Sequence, residues 1–79
     1  MVTIYRANGL RIVIFTDDHK PAHVHVFGDG HAKINLTGRG GGPELVWAES
    51  MKRNEVRRAV AVVTEHREVF LARWREIHG

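Results

Sequence analysis

The chain has 79 residues and no cysteine, which bounds it to one small domain and excludes both disulfide staples and a cysteine-based zinc site. No apolar run approaches the roughly 20 residues that cross a bilayer, and the opening MVTIYRANG lacks the basic start and long apolar run of a signal peptide, so the expected location is cytoplasmic, with no membrane partner. A formal charge of +3 with six histidines permits an anionic partner, and a core this small makes a homodimer or a small protein partner expected.

Leu, Ile, Val and Phe together exceed the roughly 20 % level of disordered chains. The first elements are two β-branched runs, Val2 to Ala7 and Leu10 to Phe15, separated by Asn8-Gly9. Asn-Gly between such runs predicts a type I′ hairpin. Its register sets Ala7 against Leu10 and Arg6 against Arg11. Tyr5, Ile12 and Ile14 then share one face, and Ile4, Val13 and Phe15 the other.

Thr16 to Pro21 reads as a polar turn, and Ala22 to Phe27 alternates again. For the next hairpin the turn Gly28-Asp29-Gly30 admits a two-residue or a three-residue loop. Only the three-residue loop separates the side chains cleanly, by pairing Phe27 with His31. Val24, Val26, Ala32, Ile34 and Leu36 then line one face, and His23, His25, Phe27, His31, Lys33 and Asn35 the other.

Thr37 to Pro43 is a glycine-rich flexible connection. Its GRGGG run is no phosphate loop, because no Gly-Lys-Ser/Thr follows. Glu44 to Glu49 is a further short strand. From Lys52 or Asn54 to Ile77 the period becomes helical, with Val56, Val60, Val63, Phe70, Trp74 and Ile77 on one stripe and Ala59 and Leu71 at its edges. Asn54 is the expected N-cap. The stripe needs an apolar surface, and the Val24, Val26 and Ile34 face supplies it. The fold class is therefore α+β: a small antiparallel sheet of four to five strands, two hairpins plus a short strand, packed by one long C-terminal α-helix.

Functional side chains concentrate in Asp17-Asp18-His19-Lys20-Pro21-Ala22-His23-Val24-His25. Residues two apart on a strand share a face with Cα atoms roughly 6.5 to 7 Å apart, so His23 and His25 can share one metal ion. His31, or His19 with Asp18, would complete a site for zinc or another divalent transition metal. The same residues also suit acid/base cleavage of a phosphodiester, with His23, His25 and His19 as proton carriers and Lys33, Arg6 or Arg11 stabilising developing charge. A third reading has the histidines simply bonding the turn around Pro21 and covering a half-exposed sheet face.

Two groups of positive charge run against local preference. Arg6 faces Arg11, where like charges destabilise a sheet pair. Lys52, Arg53, Arg57 and Arg58 crowd a helix start whose dipole favours acids. A phosphate or nucleic-acid backbone would relieve both. Arg67 interrupts the apolar stripe and is expected either to snorkel or to pair with Asp17 or Asp18. One long helix beside a sheet matches none of the common motifs that read a DNA groove.

Three segments carry a resemblance: Thr3-Ile4 to Gly9 with Ile12, the signature Asp18-His19-x-Pro21-x-His23-x-His25, and Glu65-His66-Arg67-Glu68 to Trp74 with Ile77. Together they resemble the uncharacterised small bacterial family known as domain of unknown function 4160. The resemblance implies one complete domain and a gene often set beside that of another small protein, in an arrangement like a toxin–antitoxin pair. It implies no reaction. The Gly38 to Gly42 stretch departs from the family pattern. The function expected is a component of such a module that binds or cleaves RNA through the histidine face. The alternative is a non-enzymatic interaction module, a metal-stabilised adaptor or antitoxin-like partner, in which the histidines are ligands or interface groups.

Overall fold

Asn8 and Gly9 both take positive φ, 52° and 76°, in the computed structural model, which describes residues 1–79. This is the backbone of a type I′ turn. It joins β1 (Val2–Ala7) to β2 (Leu10–Ile14) with Ala7 opposite Leu10 and Arg6 opposite Arg11, as the turn chemistry requires. Phe15 lies outside the strand. The pairing shifts between Thr3 and Tyr5, so that Thr3 rather than Ile4 opposes Val13. Such a bulge places an extra residue on one strand. Ile4 consequently joins Tyr5 against the core instead of sharing the outer face with Val13.

β3 (His23–Phe27) and β4 (His31–Asn35) pair as Phe27 with His31, Val26 with Ala32, His25 with Lys33 and His23 with Asn35, across a three-residue turn. After β4 the chain makes one short 3₁₀ turn, Arg39–Gly41, closed by bonds from Gly41 N to Gly38 O and from Gly38 N to Gly42 O. The glycine-rich connection thus contains one short turn closed by two backbone bonds. β5 (Glu44–Glu49) follows and completes a five-stranded antiparallel sheet in the order β1-β2-β3-β4-β5.

The C-terminal helical stretch is two helices rather than one, α1 (Arg53–Glu65) and α2 (Arg67–His78). His66 leaves helical geometry with φ −107° and ψ 17°. No Pro or Gly causes the break. The His66 ring instead packs on Tyr5 at 4.4 Å between centroids, and Arg67 is anchored to the end of β4. Asn54 is not the cap. Lys52 occupies that position and gives no side-chain bond.

Thirteen buried side chains form the core, joining the β2–β3–β4 face to both helices. Ala59 and Val63 from α1 and Phe70, Leu71 and Trp74 from α2 are buried in it, while Val56, Val60 and Ile77 are only half-buried. The buried stripe thus includes Ala59.

Arg67 does not reach Asp17 or Asp18. Its Nε donates to the Leu36 carbonyl at 2.7 Å, Nη2 to Thr37 Oγ1 at 3.0 Å and Nη1 to Glu68 at 2.9 Å. One guanidinium therefore satisfies a carbonyl where β4 ends beneath the helix break. Replacing Arg67 with Met is expected to lower unfolding free energy by about 1–3 kcal/mol, the penalty for orphaning such a group. Chemical denaturation measures this, and an unchanged midpoint would remove Arg67 from the account of the break.

Candidate functional site

Strand pairing arranges the sheet face away from the helices into two rows. One runs Arg6, Arg11, Phe27, His31 and Glu49; the next runs Thr3, Val13, His25, Lys33 and Trp47. The alternation that buries Val24, Val26, Ala32 and Ile34 on one side forces these residues to the other. In the first row the Arg11 guanidinium lies 5.2 Å from the Phe27 ring centroid, and Phe27 stacks on His31 at 4.2 Å and 15°. His31 meets Trp47 edge-on at 4.7 Å. Phe27, His31, Lys33 and Trp47 are all half-buried, so part of this ring surface is open to solvent. Arg6 and Arg11 have no carboxylate partner.

At one end of the face the segment after β2 folds over the histidines. Phe15 and Asp18 exchange bonds, Phe15 N to Asp18 Oδ2 at 3.3 Å and Asp18 N to Phe15 O at 3.2 Å, which forms a tight turn. The Phe15 ring covers His25 at 4.6 Å. Asp18 Oδ2 then sits 3.0 Å from His23 Nε2 and 3.6 Å from His25 Nε2. With the Trp74 ring of α2 also 5.1 Å from the His23 ring, His23 is 3 % and His25 8 % exposed.

The hydrogen-bond partners constrain the ring protons. His23 Nδ1 donates to the Pro21 carbonyl at 2.8 Å, which leaves the Nε2 lone pair of a neutral ring facing Asp18. A proton or a metal cation at Nε2 resolves that contact. His25 Nδ1 lies 2.9 Å from His31 Nε2, and a neutral His25 with its proton on Nε2, toward Asp18, accepts there from His31. Removal from water pushes the His25 pKa down from 6.5 to about 4; Asp18 opposes this, while His23, His31 and Lys33 reinforce it.

One donor atom each from Asp18, His23 and His25 lies within 4.8 Å of the others, a group that could hold a metal ion. Two imidazoles and a carboxylate are the donor set of zinc and similar divalent ions. The chemistry fits, because His23 carries the backbone-carbonyl bond that typically orients a ligating imidazole, and a neutral His25 with its proton on Nδ1, donated to His31 Nε2, would free Nε2 for the ion. His31, expected as the third imidazole, instead bonds the far nitrogen of His25.

The remaining residues singled out from sequence are dispersed. His19 is exposed and bonds nothing. Lys33 stands opposite His25, as the register requires. Lys52, Arg53 and Arg57 are exposed at the start of α1, in the helix layer, and Arg58 donates to the Asn8 carbonyl at 3.3 Å with Glu55 3.9 Å away. Trp47 shows in the sequence only as apolar strand content. Its arrival beside Lys33 depends on the β4–β5 register, and a glycine-rich loop gives no turn type from which to read one. Phe15, expected within β2 on the face of Ile4 and Val13, closes over His25 from beyond the strand.

Residues 9–75 match the family model described as Domain of unknown function (DUF4160). No curated protein and no solved structure matches the chain.

In metal-free protein the depressed His25 pKa makes stability fall with acid. Between about pH 6.5 and 4 the unfolded chain binds a proton that folded His25 refuses, so stability present above 6.5 is lost as pH falls toward 4. Denaturation midpoints of the parent and His25→Gln, compared across that range, are expected to shift in favour of the variant as pH is lowered. A difference independent of pH would contradict the buried neutral ring.

Proposed function

This chain belongs to the family described as Domain of unknown function (DUF4160), and from its sheet face we propose that it binds single-stranded RNA as one component of a toxin–antitoxin-like module. The observation that carries the reading is the Arg11–Phe27–His31–Trp47 series of ring contacts on a face that also holds Arg6 and Lys33. Unpaired bases stack on half-exposed rings, and the unneutralised cations beside them suit the phosphates between bases. An antiparallel sheet with helices on one side leaves such a platform open. The like-charged pair of Arg6 and Arg11, unfavourable in the free protein, becomes favourable when a phosphate lies across it. Binding carries this reading further than cleavage does. Any acid/base chemistry by His23 and His25 on a polymer phosphate first requires the Phe15–Asp18 turn to lift, because both rings are buried, His25 under Phe15 and His23 between Asp18 and Trp74.

Fluorescence anisotropy with a short single-stranded RNA tests the platform. Trp47→Ala is expected to weaken binding by roughly 5- to 150-fold, the equivalent of about 1–3 kcal/mol for removal of a stacking partner. The double change Arg6→Ala with Arg11→Ala should reduce the salt dependence by about 0.7 in logarithmic slope for each phosphate no longer neutralised. Binding unchanged in both variants would place the RNA elsewhere or nowhere.

A second reading rests on a different observation, the convergence of Asp18, His23 and His25 donors within 4.8 Å. Here the protein is a metal-stabilised interaction module, and a zinc-like ion on those three residues ties the 15–23 segment to the sheet. Elemental analysis of untagged protein with thermal melts measures this. About one ion per chain, with melting lowered by chelator and by Asp18→Asn, is expected of such a module. Metal-free protein whose melting ignores chelator would contradict it.

A further inference from the structure

We propose that a divalent ion held by Asp18, His23 and His25 decides which nitrogen of His31 carries the proton, and thereby whether the sheet face offers a base a hydrogen-bond donor or an acceptor at that residue. This rests on both readings above, the ion group and the ring platform, and makes the first a regulator of the second.

Pairing of Phe27 with His31 and of His25 with Lys33 sets His25 and His31 on one diagonal of the face, where long side chains reach each other. They meet in a single bond, His25 Nδ1 to His31 Nε2 at 2.9 Å. The other nitrogen of His25, Nε2, lies 3.6 Å from Asp18 Oδ2, in the group that could hold a metal ion. The other nitrogen of His31, Nδ1, bonds nothing in the protein and is not a buried atom, so it is open to a ligand. Two imidazoles thus connect the ion group to the recognition surface through one hydrogen bond.

A neutral imidazole carries one proton on one of its two nitrogens, so a bond between two such rings has only two settings. Without an ion, the His25 proton sits on Nε2 toward Asp18, Nδ1 accepts from His31 Nε2, and His31 Nδ1 presents a lone pair. An ion on His25 Nε2 needs the lone pair there, which places the His25 proton on Nδ1, donated to His31 Nε2. His31 then carries its own proton on Nδ1 and presents a donor. The protons balance: His25 Nε2 releases one to water, the shared one passes from His31 Nε2 to His25 Nδ1, and His31 Nδ1 takes one from water. Turning the His31 ring over does not escape the coupling, because it would leave Nδ1 of the buried His25 without a partner. His31 is stacked on Phe27 at 4.2 Å and meets Trp47 edge-on at 4.7 Å, so the change occurs among the rings assigned to base stacking.

Long-range proton–nitrogen NMR spectra of the histidine-labelled full chain, at slightly alkaline pH with and without zinc, read the protonated nitrogen of each ring. Stoichiometric zinc is expected to mark Nε2 of His23 and His25 as ligands and to move the His31 proton from Nε2 to Nδ1. Asp18→Asn should abolish both changes, whereas His31→Phe, which keeps a ring for stacking, should still take up zinc. Fluorescence anisotropy with short oligocytidylate and oligouridylate reads the consequence. As an acceptor, Nδ1 suits the amino group that cytosine carries where uracil has a carbonyl; as a donor it suits the carbonyl. Zinc should therefore shift relative affinity toward oligouridylate by roughly 3- to 10-fold, the scale of one hydrogen bond, and His31→Phe should remove that shift. Zinc on His23 and His25 with the His31 proton unmoved would overturn the proposal and leave the metal reading standing, and no zinc on those nitrogens would overturn both. Relative affinity for the two bound oligomers that ignores zinc would overturn the proposal as well. Binding of neither oligomer, with the proton moved, would uphold the relay and remove the RNA reading instead.

Discussion

The register of the β3–β4 hairpin is the constraint on which the rest depends. Strand side chains alternate with a period of two, so a slip of one residue would turn Val24, Val26, Ala32 and Ile34 to solvent and the histidines into the core. The turn that sets the register is clamped from the helix layer: Glu55, buried in the first turn of α1, accepts from Asp29 N at 3.0 Å. A Cβ at Gly28 would collide with that same Glu55 carboxylate, and one at Gly30 with the backbone of Glu49 and Ser50. The two glycines therefore let β5 and α1 close around the turn. Hairpin, edge strand and helix start are fixed together, and the outer face inherits its rows of basic and aromatic side chains.

What is legible in the sequence is what local rules decide. Asn8-Gly9 specifies its turn by backbone conformation, and alternation separates a valine face from a histidine face, so the β3–β4 register, and the β1–β2 register from the turn as far as Tyr5, can be read from residues alone. The features that are not legible are set by tertiary partners. Nothing in Glu65-His66-Arg67-Glu68 signals a helix break, because its causes are a tyrosine on β1 and a carbonyl at the end of β4, distant in the chain. Arg67 suggests an acidic partner by charge and finds a backbone oxygen by position. The bulge at Ile4 conflicts with strict alternation and is resolved by what the core accepts.

The candidate site divides in the same way. The His23–His25 spacing is visible in the sequence, and so is the position of Lys33 opposite His25. What patterning does not reveal is depth. The Phe15–Asp18 turn covers His25, Trp74 packs on His23, and Asp18 gives both one shared carboxylate, which converts a surface pair into a buried polar group of the kind that orders a loop or holds an ion. The open chemistry of the face lies beside it, on Arg11, Phe27, His31 and Trp47. Burial and exposure thus divide what residue pattern groups as a single cluster: a buried polar group at one end of the sheet and half-exposed rings with unpaired cations across its middle.

The central claim, that recognition belongs to this sheet face, is tested most directly by mapping a short single-stranded RNA onto isotope-labelled protein by NMR. The account predicts shifts concentrated on Arg6, Arg11, Phe27, His31, Lys33 and Trp47, with the basic start of α1 at Lys52, Arg53 and Arg57 left unchanged. Shifts concentrated on those α1 residues, or no shifts at all, would contradict it.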